Sequence, residues 1–153
     1  MAAGTWVFTN GGRTCLLDGT FDLDTDVWWM GLHVSTGTQP GPTIVNWSEL
    51  SDSQVSTTNT GYASGGKTLK NGGGAGGLTL SGTNPVKVDI ETDPVFGPAG
   101  SADLTAKTGV IYEVGGKVLC YCLLEAGGAN VTATNGNTLT VAAHATDGVF
   151  KLS

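Results

Sequence analysis

No apolar run in this chain reaches the roughly 18–20 residues that a membrane-spanning helix requires, so no membrane partner is expected. The opening Met1-Ala-Ala-Gly-Thr-Trp6 has no basic stretch followed by an apolar one, and no signal peptide is expected. Basic residues are scarce: seven, scattered, against thirteen acidic ones. Without a basic patch or stripe the electrostatic footprint of nucleic-acid binding is missing, and no nucleic-acid partner is expected. The net charge of −6 favours solubility and says nothing about fold. Cysteines number only three, an odd count that argues against a disulfide framework. Cys120 and Cys122 flank Tyr121 in an apolar stretch and would share one face of a strand, as small core hydrophobes. No second Cys/His pair follows to complete a zinc site.

Glycine is what the chain has in excess, 25 of 153 residues against a usual ~7%. With abundant Thr, Ser, Asn and Val, this is the composition of short strands joined by many turns. The length suits one domain and would bury roughly 70% of the unfolded surface.

Val27 to Val34 is the strongest strand. Trp28, Met30, Leu32 and Val34 form one apolar face; Val27, Trp29, Gly31 and His33 form a mixed one. Thr5–Thr9 reads as a short strand or arm ended by an Asn10-Gly-Gly12 turn, and 13–18 as one helical turn or a loop. Pro40-Gly-Pro42 demands a loop. Asn46 with Glu49 has capping-box spacing for a single helical turn. Residues 67–70 and 78–81 suggest two strands joined by the glycine-rich 71–77 link, which lacks the ending of a phosphate loop. Val86 to Glu91 alternates as a half-exposed antiparallel strand. Gly115-Gly116 and Asn135-Gly-Asn137 each predict a hairpin, and 92–101 a Pro/Gly loop. The expectation is an all-β, single-domain antiparallel β-sandwich or small barrel. It has about nine or ten short strands, glycine-rich loops and at most one short helix, with residues 1–18 as an N-terminal strand or arm and 19–153 as the sandwich.

Asp22-Leu-Asp24-Thr-Asp26 has the spacing of the first half of an EF-hand loop. Its sixth position is Val27 where glycine is needed, and its twelfth is His33 where a bidentate glutamate is needed. Asp22, Asp24 and Asp26 are therefore weak metal candidates, and the run reads as the lead-in to a strand; no metal or other cofactor is expected. His33 and His144 are the only histidines, and no Gly-x-Ser-x-Gly elbow accompanies them, so no enzyme is expected. Both faces of 118–124 are apolar: Leu119, Tyr121 and Leu123 on one, Val118, Cys120, Cys122 and Leu124 on the other. Such a strand is internal or lies against a partner. Trp29, His33, Leu119, Tyr121 and Leu123 are the candidate interface residues.

In combination and order, Gly19-x-Phe-Asp-Leu-Asp-Thr-Asp26 with its apolar strand, Trp47 to Val55, Gly61-Tyr-Ala-Ser-Gly-Gly-Lys-Thr-Leu69, Gly109-Val-Ile-Tyr112 and the segment from Thr134-Asn-Gly-Asn to Leu152 resemble small tailed-bacteriophage virion proteins. The resemblance spans roughly residues 19–152. It implies a non-enzymatic, homo-oligomeric component of the virion, assembled in the host cytoplasm, whose partner is the major capsid protein or another virion protein. It implies a capsid decoration (cement) subunit first, and a tail, neck or fibre accessory as the alternative. A receptor- or carbohydrate-binding β-domain is a further reading, with Trp6 or Trp47 available to stack on sugars.

Overall fold

The computed structural model describes residues 4–69, 77–83 and 85–152. Among them are twelve short strands: β1 (Val7–Phe8), β2 (Trp28–His33), β3 (Lys67–Thr68), β4 (Leu78–Ser81), β5 (Val86–Ile90), β6 (Val95–Phe96), β7 (Leu104–Ala106), β8 (Thr108–Glu113), β9 (Val118–Leu123), β10 (Val131–Ala133), β11 (Leu139–Thr140) and β12 (Phe150–Leu152). Helix α1 (Asn10–Leu17) and a 3-10 helix (Trp47–Ser53) complete the fold, one short helix more than expected. Every pairing is antiparallel. A five-stranded sheet runs β1-β9-β8-β2-β3, a three-stranded one β12-β5-β4, and β10-β7 and β11-β6 form two-stranded pairs. The protein is all-β and sandwich-like.

Strand β2 organises the core. Trp28, Met30 and Leu32 are all fully buried, as the two-residue period demands. Register puts Ile111 opposite Met30 and Cys120 opposite Ile111, so this face continues across three strands. Leu78, Val88, Ile90, Phe96, Leu104 and Val131 from the smaller sheets close over it. The other face of β2 is covered too. At Gly31 an added Cβ would lie 1.8 Å from Cη2 of Trp47, so only glycine lets that indole reach the sheet. Trp47 stacks on Tyr112 (centroids 4.1 Å apart, 13° between planes) and meets His33 edge-on. With Ile44, Leu50, Val110 and Val118 they form a second, smaller core.

The alternation read for 118–124 is corrected by a bulge. Tyr112 pairs with Val118 and Ile111 with Cys120, which leaves Leu119 without an opposite residue. An extra residue flips the faces on one side of it. Val118 joins the small outer core, and Leu119 joins Cys120 and Cys122 in the main one. The bulged carbonyl of Leu119 accepts a hydrogen bond from Thr9 N (3.1 Å). Helix α1 packs against the same carbonyl, so closely that a Cβ on Gly12 would lie 2.2 Å from it.

Two local readings are likewise corrected. Asn10-Gly-Gly12 opens α1 instead of making a turn. Thr9 Oγ1 accepts from Gly12 N at 2.8 Å and donates to Val118 O at 2.8 Å, and this anchored N-cap outweighs the poor helix propensity of the two glycines. Asn135-Gly-Asn137 does form its turn, closed by Asn137 N to Thr134 O (2.9 Å). The flanking strands do not pair with each other: β10 pairs β7 and β11 pairs β6. The turn's backbone bonds outward to Ala99 instead, Gly136 N to its carbonyl and its N–H to Asn137 O. Strand β6 sits inside the expected 92–101 loop. Strands β3 and β4 belong to different sheets, while residues 70–76, most of the expected link, lie outside the described residues.

Candidate contact surface

Two of the segments named in the resemblance, Gly19–Asp26 and Gly61–Leu69, are attached to β2. Asp22 to Asp26 closes on itself before the strand. Asp22 Oδ1 accepts from Asp24 N (2.9 Å) and Thr25 N (3.2 Å), and Asp26 Oδ2 accepts from Asp22 N (2.7 Å). The carboxylates of Asp22 and Asp26 thus serve backbone N–H groups in a tight turn, and Phe21 turns inward edge-on to Trp28. No cluster of three or more His, Cys, Asp and Glu suited to a metal occurs among the described residues.

The second segment, Gly61 to Leu69, wraps β2 from the other side. Leu32 N donates to the buried Tyr62 hydroxyl at 3.0 Å, and Leu69 N donates to Trp28 O at 2.6 Å. Gly65 N donates to Gln54 Oε1 at 2.8 Å, and Tyr112 Oη donates to Gly65 O at 2.8 Å. Gly66 has φ +98°, and a Cβ there would lie 1.9 Å from Met30 O. Burial raises the pKa of Tyr62 well above a phenol's ordinary value and that of Tyr112 to about 12, so both remain neutral hydrogen-bonding groups. Gly61 and Gly66 therefore serve close backbone packing, against Pro98 O and Met30 O.

The five candidate interface residues part company. Leu119 is enclosed in the main core, a correction that the bulge explains. His33 is also fully buried, corrected by the aromatic lid of Trp47; its Nδ1 lies 2.9 Å from Ser53 Oγ. Neither can touch a partner in this fold. Trp29 and Tyr121 are half-buried, and Leu123 is exposed. All three stand on the outer face of the five-stranded sheet. Trp29 lies toward the β3 margin and Tyr121 and Leu123 toward the β1 margin, with Trp47 and its 3-10 helix covering the middle.

At the β1 margin the sequence reading missed Val7. It lies directly opposite Tyr121 in register and is 38% exposed. Gly4 N donates to Leu123 O (2.7 Å), which extends the edge beyond β1. Val7, Tyr121, Leu123 and Ala126 line a shallow depression of about 480 Å³ with Gly4 and Thr5. The signal for Val7 was the alternation of Trp6, buried, with Val7, outward; two paired residues are too few for a period to show. Of the two indoles named for sugar stacking, Trp6 is enclosed, whereas Trp47 is half-buried, stacked on Tyr112, and lines a surface depression with Trp29.

Chemically this face offers apolar contact on a rigid support. Cys120 and Cys122 lie behind it, their thiols pushed up by burial, that of Cys122 to about 12, and so protonated and inert. His144 and Asp147 form an exposed pair remote in sequence from it (3.4 Å). Comparison of the chain with family models, curated proteins and solved structures found no match.

Proposed function

We propose that this protein is a bacteriophage virion structural protein, a capsid decoration subunit that binds the outer surface of the head shell and bridges coat subunits. The observation that carries this reading is the strip of Val7, Tyr121 and Leu123, an apolar margin beside the part of the sheet that Trp47 and its 3-10 helix cover. Contiguous exposed apolar groups on a rigid sheet mark association sites. The resemblance of five segments across roughly residues 19–152, in combination and order, to small virion proteins supplies the setting. A small acidic β-domain present in many copies would add modest contacts through avidity, and a cyclic homo-oligomer would set them at the spacing of a capsomer. The role requires no catalysis or cofactor.

The test is stoichiometry. Quantitative mass spectrometry of purified particles is expected to give a copy number comparable with that of the coat protein. A few copies per particle would replace this reading with a tail, neck or fibre accessory, and absence from particles would remove both.

A further inference from the structure

A second apolar site lies on the opposite side of β1, where Phe8 points away from the strip formed by Val7. Phe8 meets Phe150 of β12 edge-to-face, with centroids 4.6 Å apart. Leu16 and Leu17 of α1 form one wall of a cleft above this pair, and Leu23 forms another. The cleft has a volume of about 450 Å³, within the ~300–1,000 Å³ range of functional pockets. Leu17 is 90% exposed, though it stands beside apolar groups that could cover it. Arg13 and Lys151 stand at the rim. Lys151 is held by Asp147 (Nζ–Oδ1 2.5 Å), whereas the Arg13 guanidinium has no ion-pair partner among the described residues. An unpaired guanidinium beside an apolar floor can engage a carboxylate that enters with an apolar group. The floor also borders β12, the outer strand of its sheet, beside which an extended segment can lie.

We propose that the cleft between α1 and β12 binds an extended peptide segment of a partner protein that carries a leucine-like side chain next to a carboxylate. The apolar side chain would fill the space over Phe8 and Phe150, and the carboxylate would engage Arg13. The inference stands apart from the particle reading, since any partner with such a segment would satisfy it.

The probe is a blocked Leu-Glu-Leu-Glu peptide, titrated into the ¹⁵N-labelled full chain and followed by amide chemical shifts. Shifts are expected at Leu16, Leu17, Leu23 and Lys151, with affinity roughly tenfold above that of the matched Leu-Gln-Leu-Gln peptide. Arg13→Gln is expected to abolish that preference and Arg13→Lys to keep part of it. Equal affinities for the two peptides, shifts that map elsewhere, or no binding would overturn the proposal. So would binding of decanoate without binding of the acidic peptide, which would mark the cleft as a site for free amphiphiles.

Discussion

His33 shows how much one buried polar side chain can determine. Ser53 Oγ donates to Leu50 O (3.1 Å), so its oxygen accepts from His33 Nδ1–H. The ring is then the neutral tautomer protonated at Nδ1, and Nε2 is a buried acceptor without a partner among the described residues. Burial lowers the pKa to about 4, against a weaker opposing pull from Asp52. The unfolded chain takes up this proton near the ordinary 6.5, so between pH 6.5 and 4 it binds more protons than the native state. The stabilising contribution of neutral His33 is complete above pH 6.5 and is lost as pH falls toward 4, by about 3 kcal/mol. Urea midpoints measured across this range should fall with acidity in the native protein and flatten in His33→Gln; an unchanged slope in the variant would refute the assignment. Next to His33, Gly31→Ala should displace Trp47 and cost about 1–3 kcal/mol, visible as a lower melting temperature with altered tryptophan emission. Periodicity could place Trp28, Met30 and Leu32 in the core. It could not show that Gly31 is a seat for a tryptophan sixteen positions away, and so His33 read as a surface residue.

At the scale of elements, what was legible was local, and what was hidden was the choice of partner. Val86 to Glu91 declared itself by alternation, and the hairpin at Gly115-Gly116 by its turn residues; both formed as read. Asn135-Gly136 also made its turn, yet β10 and β11 took β7 and β6, because the turn's outward groups dock on Ala99. Nothing near residue 135 encodes Ala99. For helix α1 the sequence offered one helical turn or a loop over 13–18; its start at Asn10-Gly-Gly12 was hidden for a similar reason, since its support is a bulged carbonyl on β9. The cap that defines it should be sensitive. Thr9→Ala removes both the N-cap acceptor and the buried donor to Val118 O, and is expected to cost about 2 kcal/mol in chemical denaturation. Thr9→Ser keeps the hydroxyl and should retain most of that stability; equal losses in the two variants would shift the explanation from capping to packing of the methyl group.

For the molecule as a whole, surface exposure was half legible. Trp29 and Tyr121 keep part of their surface and Leu123 is exposed, in keeping with apolar groups on both faces of a strand being excessive for one core. His33 and Leu119 were chosen by the same logic, and the aromatic lid and the bulge overturned them. If the β1 margin is an association surface, Val7→Lys with Leu123→Glu should abolish attachment to particles, or self-association measured by sedimentation. The melting temperature of the subunit should be little altered, since exposed positions rarely contribute more than ~0.5 kcal/mol. Attachment that survives this pair would move the interface elsewhere on the chain.

The bond from Thr9 to Val118 joins residues 109 apart in the chain, and β1 finds no strand partner until β9 has been made. The five-stranded sheet therefore cannot complete its first edge while most of the chain is still being synthesised. Closure over so long a loop is entropically costly, and proteins dominated by such pairings fold in milliseconds to seconds. The apolar margin beside Val7 thus comes into being only as the last strands of that sheet lock in. A copy in which β1 has not yet met β9 presents no such margin, so a partner that bound there would bind only chains in which this sheet has closed.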